Sequence, residues 1–171
     1  MNRVLNHGLV AAILMSLVLF GPYFIVGPDP DWAQRWGRMI GYAGMVLALT
    51  ATFFAMRAER ERAGGAIGFG RALGIGLGVS AVAALCFGLA TWGFYAYVGD
   101  ALPQQIYDSY LAAARASTGD PATVAAKVAE VESMRGFFFN FPLQGAVMGA
   151  TVFLIGFAES LVGAAVVRRR A

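Results

Sequence analysis

Residues 69–98 read FGRALGIGLGVSAVAALCFGLATWGFYAYV, thirty positions with Arg71 as their single charge. An α-helix needs about 20 apolar residues to cross about 30 Å of hydrocarbon. Within the bilayer, backbone N–H and C=O groups find no water, so they must bond inside their own segment, and a helix does that. Three further stretches have the same character: Gly8–Val26, Gly37–Met56 and Leu143–Val167. Of the 171 residues, 58% are hydrophobic and 13% charged, and the mean hydropathy is +0.64. A soluble domain is about 45–50% apolar, and too few polar residues remain here to cover a water-soluble surface. The sequence therefore predicts an all-α integral membrane four-helix bundle, residues 1–171 forming a single membrane domain. Its polar segment, about residues 99–141, is expected to form a short extracytoplasmic helical hairpin between the third and fourth spans.

Basic residues near span ends favour the cytoplasmic side. With the N-terminus inside, the inner segments hold Arg3, Arg57, Arg60, Arg62, Arg71 and Arg168–Arg170 against Glu59 and Glu61, a net of +6. The outer segments hold Arg35, Arg38, Arg115, Lys127 and Arg135 against seven acids, a net of −2. Both termini are thus expected in the cytoplasm. The closing arginines read as a topology anchor. The first stretch reads as an uncleaved helix, because it ends in the bulky Phe20-Gly21-Pro22-Tyr23-Phe24-Ile25, with no small-residue cleavage site. Cys86 is the sole cysteine. It excludes an intrachain disulfide and reads as a small hydrophobe.

Between the first two spans, Gly27-Pro28-Asp29-Pro30-Asp31-Trp32 reads as an outer turn, and Trp32 and Trp36 fall at interfacial depth. The second span closes on the mixed charges of residues 57–62, a solvated helix end broken by Gly64-Gly65. In the third span, Gly70, Gly74 and Gly78 share one helix face. Ala72, Gly76, Ser80, Ala84 and Gly88 form a second small ridge. The second span carries Gly37, Gly41, Gly44 and Ala48, and the fourth carries Gly145 and Gly149. Such ridges let helix backbones approach in lipid. A phosphate-binding loop is excluded, because no strand precedes the glycines and no lysine follows in register.

In the polar segment, Pro103 can start a helix over residues 103–116, and Thr118-Gly119 breaks it. Asp120 is an N-cap followed by Pro121 at the first helical position. The second helix should stop near Arg135-Gly136. Ile106 with Tyr110, and Val124 with Val128, are expected to face each other or the membrane surface. The phenylalanines of Phe137–Phe141 are expected to anchor the chain at the interface.

The Arg-rich residues 57–62, Gly64-Gly65, Gly68-Phe69-Gly70-Arg71-Ala72, the polar segment and Gly156-Phe157-Ala158-Glu159 together resemble a bacterial membrane family called domain of unknown function 4199. The likeness runs over nearly the whole chain. Asn140-Phe141-Pro142 departs from the adjacent Asn-Pro of the pattern. The resemblance implies a small four-span protein of a bacterial inner membrane and carries over no activity.

One polar constellation lies in the spans. Glu159 stands nine residues before Arg168, roughly 13 Å into the inner half of the membrane. A carboxylate there costs at least a few kcal/mol unless paired, hydrated or protonated. Arg71, on the same side, is the expected ion-pair partner and Arg57 the next candidate. Thr50, Thr52, Ser80 and Ser160 are available for hydrogen bonds. Catalytic, cofactor and metal sites are not indicated. No His, Cys, Asp or Glu cluster has ligand spacing, His7 stands alone near the inner end, and no nucleophile has a base. The leading expectation is a structural or accessory membrane protein, not an enzyme, that contacts lipid and associates with itself or a protein partner through its glycine-rich helices. The alternative is an oligomeric transporter or channel using Glu159. Nucleic acid is not an expected partner, because the inner basic residues are those that topology alone requires.

Overall fold

The computed structural model describes residues 2–27 and 36–168. Among these, every regular element is a helix: α1 (Asn2–Val26), α2 (Arg38–Leu49), α3 (Ala51–Arg62), α4 (Phe69–Val98), α5 (Ala101–Arg115), α6 (Pro121–Ser133), α7 (Arg135–Phe138) and α8 (Phe141–Val167). Four stretches are long and apolar enough to cross a membrane: Arg3–Ile25, Met39–Arg62, Phe69–Val98 and Phe141–Val167. The outer turn at Pro28–Asp31, Trp32, and Arg169 and Arg170 lie outside the described residues.

The second span is one rod in two pieces. At Thr50 the amide bonds both Val46 O and Leu47 O, and the hydroxyl donates to Leu47 O at 2.7 Å. This tightens one turn without ending the helix, since Phe54 N still reaches Thr50 O. The helix continues to Arg62, where Gly64 and Gly65 take φ of +78° and +92°. A side chain is strained in that region, so the glycines let the chain reverse into α4. Arg60 Nε donates to Gly65 O at 2.9 Å and holds the reversal. Ile67 then tucks beneath the bundle against Met56, Ala72, Ala164 and Val167.

The tightest packing joins α4 to α8. A Cβ on Gly145 would stand 2.6 Å from Gly88 O, one on Gly149 2.9 Å from Ala84 O, and one on Gly88 2.8 Å from Gly145 O. Two helix backbones touch along the second small ridge of the third span. In lipid such contacts contribute through dispersion over many atoms rather than through hydrophobicity. Helix α1 meets α4 where Gly8 faces Val82, and α2 where Gly44 faces Val18. At mid-depth, Met15, Met45, Leu49, Phe87 and Val152 fill the centre. Toward the end that carries the polar segment, Phe20 stacks on Phe94 at 4.4 Å between centroids. Outside this bundle, Ile25 is 85% exposed, Leu47 70% and Leu154 67%. Bulky apolar side chains on the outer faces of all four spans suit lipid and would be a liability in water.

The polar segment forms its own small core. Tyr107, Leu111 and Phe138 are buried against Ile106, Val128, Val131 and Phe139. Tyr107 turns inward, on the face it shares with Leu111 and Ala114, while Tyr110 is exposed. The second helix stops at Ser133, near the expected Arg135-Gly136, and α7 then adds a further turn. That turn carries Phe138 into the small core rather than to the membrane surface, so only part of the phenylalanine run can anchor. The Arg135 guanidinium lies 5.6 Å from the Phe139 ring and 6.0 Å from that of Tyr107, a cation–π arrangement that covers the core's edge.

Both caps of this segment follow their side chains. Asp120 Oδ1 accepts from Thr123 N at 2.9 Å, with Pro121 opening α6. The Thr123 hydrogen bonds, side chain then backbone, hold the exposed Asp120 carboxyl below its ordinary range. A depressed carboxyl stabilises the fold above its unfolded pKa, and the cap is lost as the pH falls through the lower, folded value. Asn140 Oδ1 accepts from Leu143 N at 3.0 Å. Asn140-Phe141-Pro142 is thus an N-cap followed by a helix start with proline in its first turn, where the missing N–H costs nothing.

Candidate functional site

The half of the bundle that carries both chain ends holds a layer of oxygens between helices that are otherwise apolar. On α4, Ser80 Oγ donates to Gly76 O at 2.9 Å. On α8, Ser160 Oγ donates to Gly156 O at 2.6 Å. Both serines are fully buried, and their hydroxyl oxygens stand 3.4 Å apart across the interface. They fit because each faces a glycine: Ser160 Oγ lies 2.6 Å from where a Cβ on Gly76 would be, and Ser80 fills the corresponding place at Gly156.

The second span closes the layer. Leu49 Cδ2, at the end of α2, reaches Gly156, and Met56 Cε of α3 reaches both Gly76 and Gly163. These two contacts make the second span and α8 parallel, with residues 49 and 56 level with 156 and 163. Thr52 lies between Leu49 and Met56 on the same buried stripe (i, i+3, i+7), a spacing that shares one helix face. Thr52 is 1% exposed, and its Oγ1 has no hydrogen-bond partner. Glu159, half-buried one position before Ser160, likewise has a buried Oε1 without a partner. These are the two unpartnered buried side-chain oxygens among the described residues, and they sit at the same depth.

The expected Glu159–Arg71 ion pair is not formed. Arg71 Nη2 instead lies 2.6 Å from Glu59 Oε1, joining the end of α3 to the start of α4. Arg57, the next candidate, pairs with Glu61 at 3.2 Å along its own helix. The physical reason is desolvation. Arg71 and Glu59 meet at the rim of the bundle, the Arg71 side chain 62% exposed, whereas reaching Glu159 would carry a guanidinium into the bundle at a cost of several kcal/mol. Glu159 therefore has no cation of its own chain among these arginines.

The glycines divide between two faces. Gly145 and Gly149 meet α4, and Gly78 meets Val4 of α1 at 3.0 Å. A Cβ on Gly70 or Gly74 would meet nothing within 4 Å. Sequence reasoning passed over Gln144, buried in the first turn of α8, whose Nε2 donates to Phe138 O. A glutamine two positions after a proline in an otherwise apolar helix start was its only signal. Among the described residues, no group of three or more His, Cys, Asp or Glu side chains could hold a metal ion.

Four apolar spanning helices, packed through glycine and carrying one isolated carboxylate, define a small multi-pass membrane protein. The chain belongs to the family described as Protein of unknown function (DUF4199), whose sequence profile matches residues 6–169. No curated protein and no solved structure matches it.

Proposed function

We propose that this is a non-enzymatic accessory protein of a bacterial inner membrane, with both termini cytoplasmic, that works by associating with a second copy of itself. The observation that carries the reading is the open face at Gly70 and Gly74. The other small ridge of α4 is covered by α8, so this face remains for a neighbour. A small-residue face meets its own copy readily, because a two-fold axis places the same patch on both sides. The inner charge excess and the lack of a nucleophile–base pair support the topology and the non-enzymatic reading. The test is energy transfer between differently labelled copies in liposomes. The wild type should show transfer that falls on dilution into excess lipid. Gly70→Leu/Gly74→Leu should abolish transfer while keeping its helical signal; transfer unchanged in that variant would remove the reading. The alternative, an oligomeric transporter or channel, is favoured by the unpartnered Glu159 Oε1 and makes ion flux depend on that residue.

A further inference from the structure

We propose that Arg60, held against the reversal between α3 and α4, and Arg168 beside it bind the phosphate of an anionic phospholipid headgroup. The inference goes beyond self-association and does not depend on it.

The rim of the bundle at this reversal collects positive charge. Arg57, Arg60, Arg62, Arg71 and Arg168 stand there against Glu59 and Glu61, a net of +3. Both acids are engaged within the chain, Glu59 with Arg71 and Glu61 with Arg57. Among the described residues, Arg60, Arg62 and Arg168 therefore have no acidic partner.

The fold fixes Arg60 in place. Its carbonyl accepts from Gly65 N at 2.9 Å, and its Nε donates to Gly65 O at 2.9 Å. A guanidinium carries five N–H donors in a planar fork. One is used on Gly65 O, and the four on the two Nη atoms remain for an outside acceptor. Such a fork matches two oxygens of a phosphate. The space around the reversal is open. A Cβ on Gly64, Gly65 or Gly68 would meet nothing within 4 Å, and all three glycines are exposed. Arg168 adjoins the same place, because Ile67, within the reversal, packs in one cluster with Val167, the residue before Arg168.

Depth favours a lipid over a soluble anion. One spanning stretch ends at Arg62 and the next begins at Phe69, so the reversal lies where hydrocarbon gives way to headgroups. Phe69, 38% exposed at the start of α4, offers apolar surface to a lipid tail that a free anion lacks. General attraction of anionic lipid needs only a count of positive charges. A site needs the Arg60 fork itself.

The experiment uses the full-length protein in neutral-detergent micelles, with phosphatidylglycerol or phosphatidylcholine added in steps. Native mass spectrometry counts the lipids retained per chain, and the thermal midpoint is followed in parallel. A ligand that binds only the folded state raises the midpoint with its concentration. The expected result is retained phosphatidylglycerol and a saturable rise in midpoint that neither phosphatidylcholine nor inorganic phosphate gives. Arg60→Lys keeps the charge but loses the planar fork, and should weaken apparent affinity by about tenfold, the effect of one lost charge-assisted hydrogen bond. Arg168→Gln lies beyond the last helix and tests the site even if Arg60→Lys misfolds; it should weaken affinity by about fivefold. Arg115→Gln, on the polar segment, should change nothing. Equal retention of the two lipids, the same rise with inorganic phosphate, or an affinity unchanged in Arg60→Lys or in Arg168→Gln would each overturn the proposal.

Discussion

Replacing Gly145 with leucine is expected to cost at least about 3 kcal/mol of folding free energy, whereas the same change at Gly74 should shift it by less than about 0.5 kcal/mol. The difference follows from what each side chain would strike. At Gly145 even a Cβ would lie 2.6 Å from Gly88 O and 3.0 Å from Trp92 Cβ. A backbone carbonyl cannot rotate away, so α4 and α8 must separate, and with them the longest shared interface of the bundle. At Gly74 a new side chain strikes nothing of its own chain, so the fold of the single chain is kept and any loss falls on association between copies. Reversible unfolding in mixed detergent micelles measures both. Similar losses at the two positions would mean that the α4–α8 contact does not hold the fold.

Phe87→Ala should be the next most damaging change. Phe87 is fully buried, touches the cluster of Met15, Met45, Leu49 and Val152, and lies 5.8 Å from the Phe20 ring in a stacked arrangement. A side chain leaving this core enters lipid, not water, so the usual transfer free energy does not apply. What remains is the cavity. About 100 Å3 left unfilled, at about 24 cal/mol per Å3, gives about 2 kcal/mol. Leu85→Ala is the control, since Leu85 is 66% exposed on the lipid side of the same helix and leaves no cavity. The same unfolding assay should separate the two; equal losses would show that burial inside the bundle adds nothing to contact with lipid.

The spans were legible because their signal is additive. Twenty apolar residues in a row mean the same thing whatever they pack against, and the third span was read to its observed ends, Phe69 and Val98. The small ridges were legible as ridges. Which ridge meets which helix was not, because that depends on crossing angles and depth. Gly70, Gly74 and Gly78 look equivalent along the sequence, yet only Gly78 has a neighbouring side chain within reach. The ion pair failed for a related reason. Sequence distance to the membrane centre placed Arg71 and Glu159 on the same side, but Glu59 lies across a short reversal from Arg71 and offers a partner that stays near water. The N-cap at Asp120 sits at the other extreme, since a cap is decided within four residues. Thr52 could be named as a polar residue in a span, but its lack of a partner is a property of three helices together.

Four spans carry the chain across the membrane four times, α4 taking it from one side to the other. The most direct measurement is labelling of single cysteines, introduced into a Cys86→Ala background, by a membrane-impermeant reagent in intact cells. Cysteines are placed at Ala63, Ala125 and either terminus, Ala63 and Ala125 both being exposed positions. The account predicts labelling of position 125 in intact cells, and of position 63 and both termini only after the membrane is opened. Labelling of positions 63 and 125 from the same side would contradict it, because α4 would then not cross.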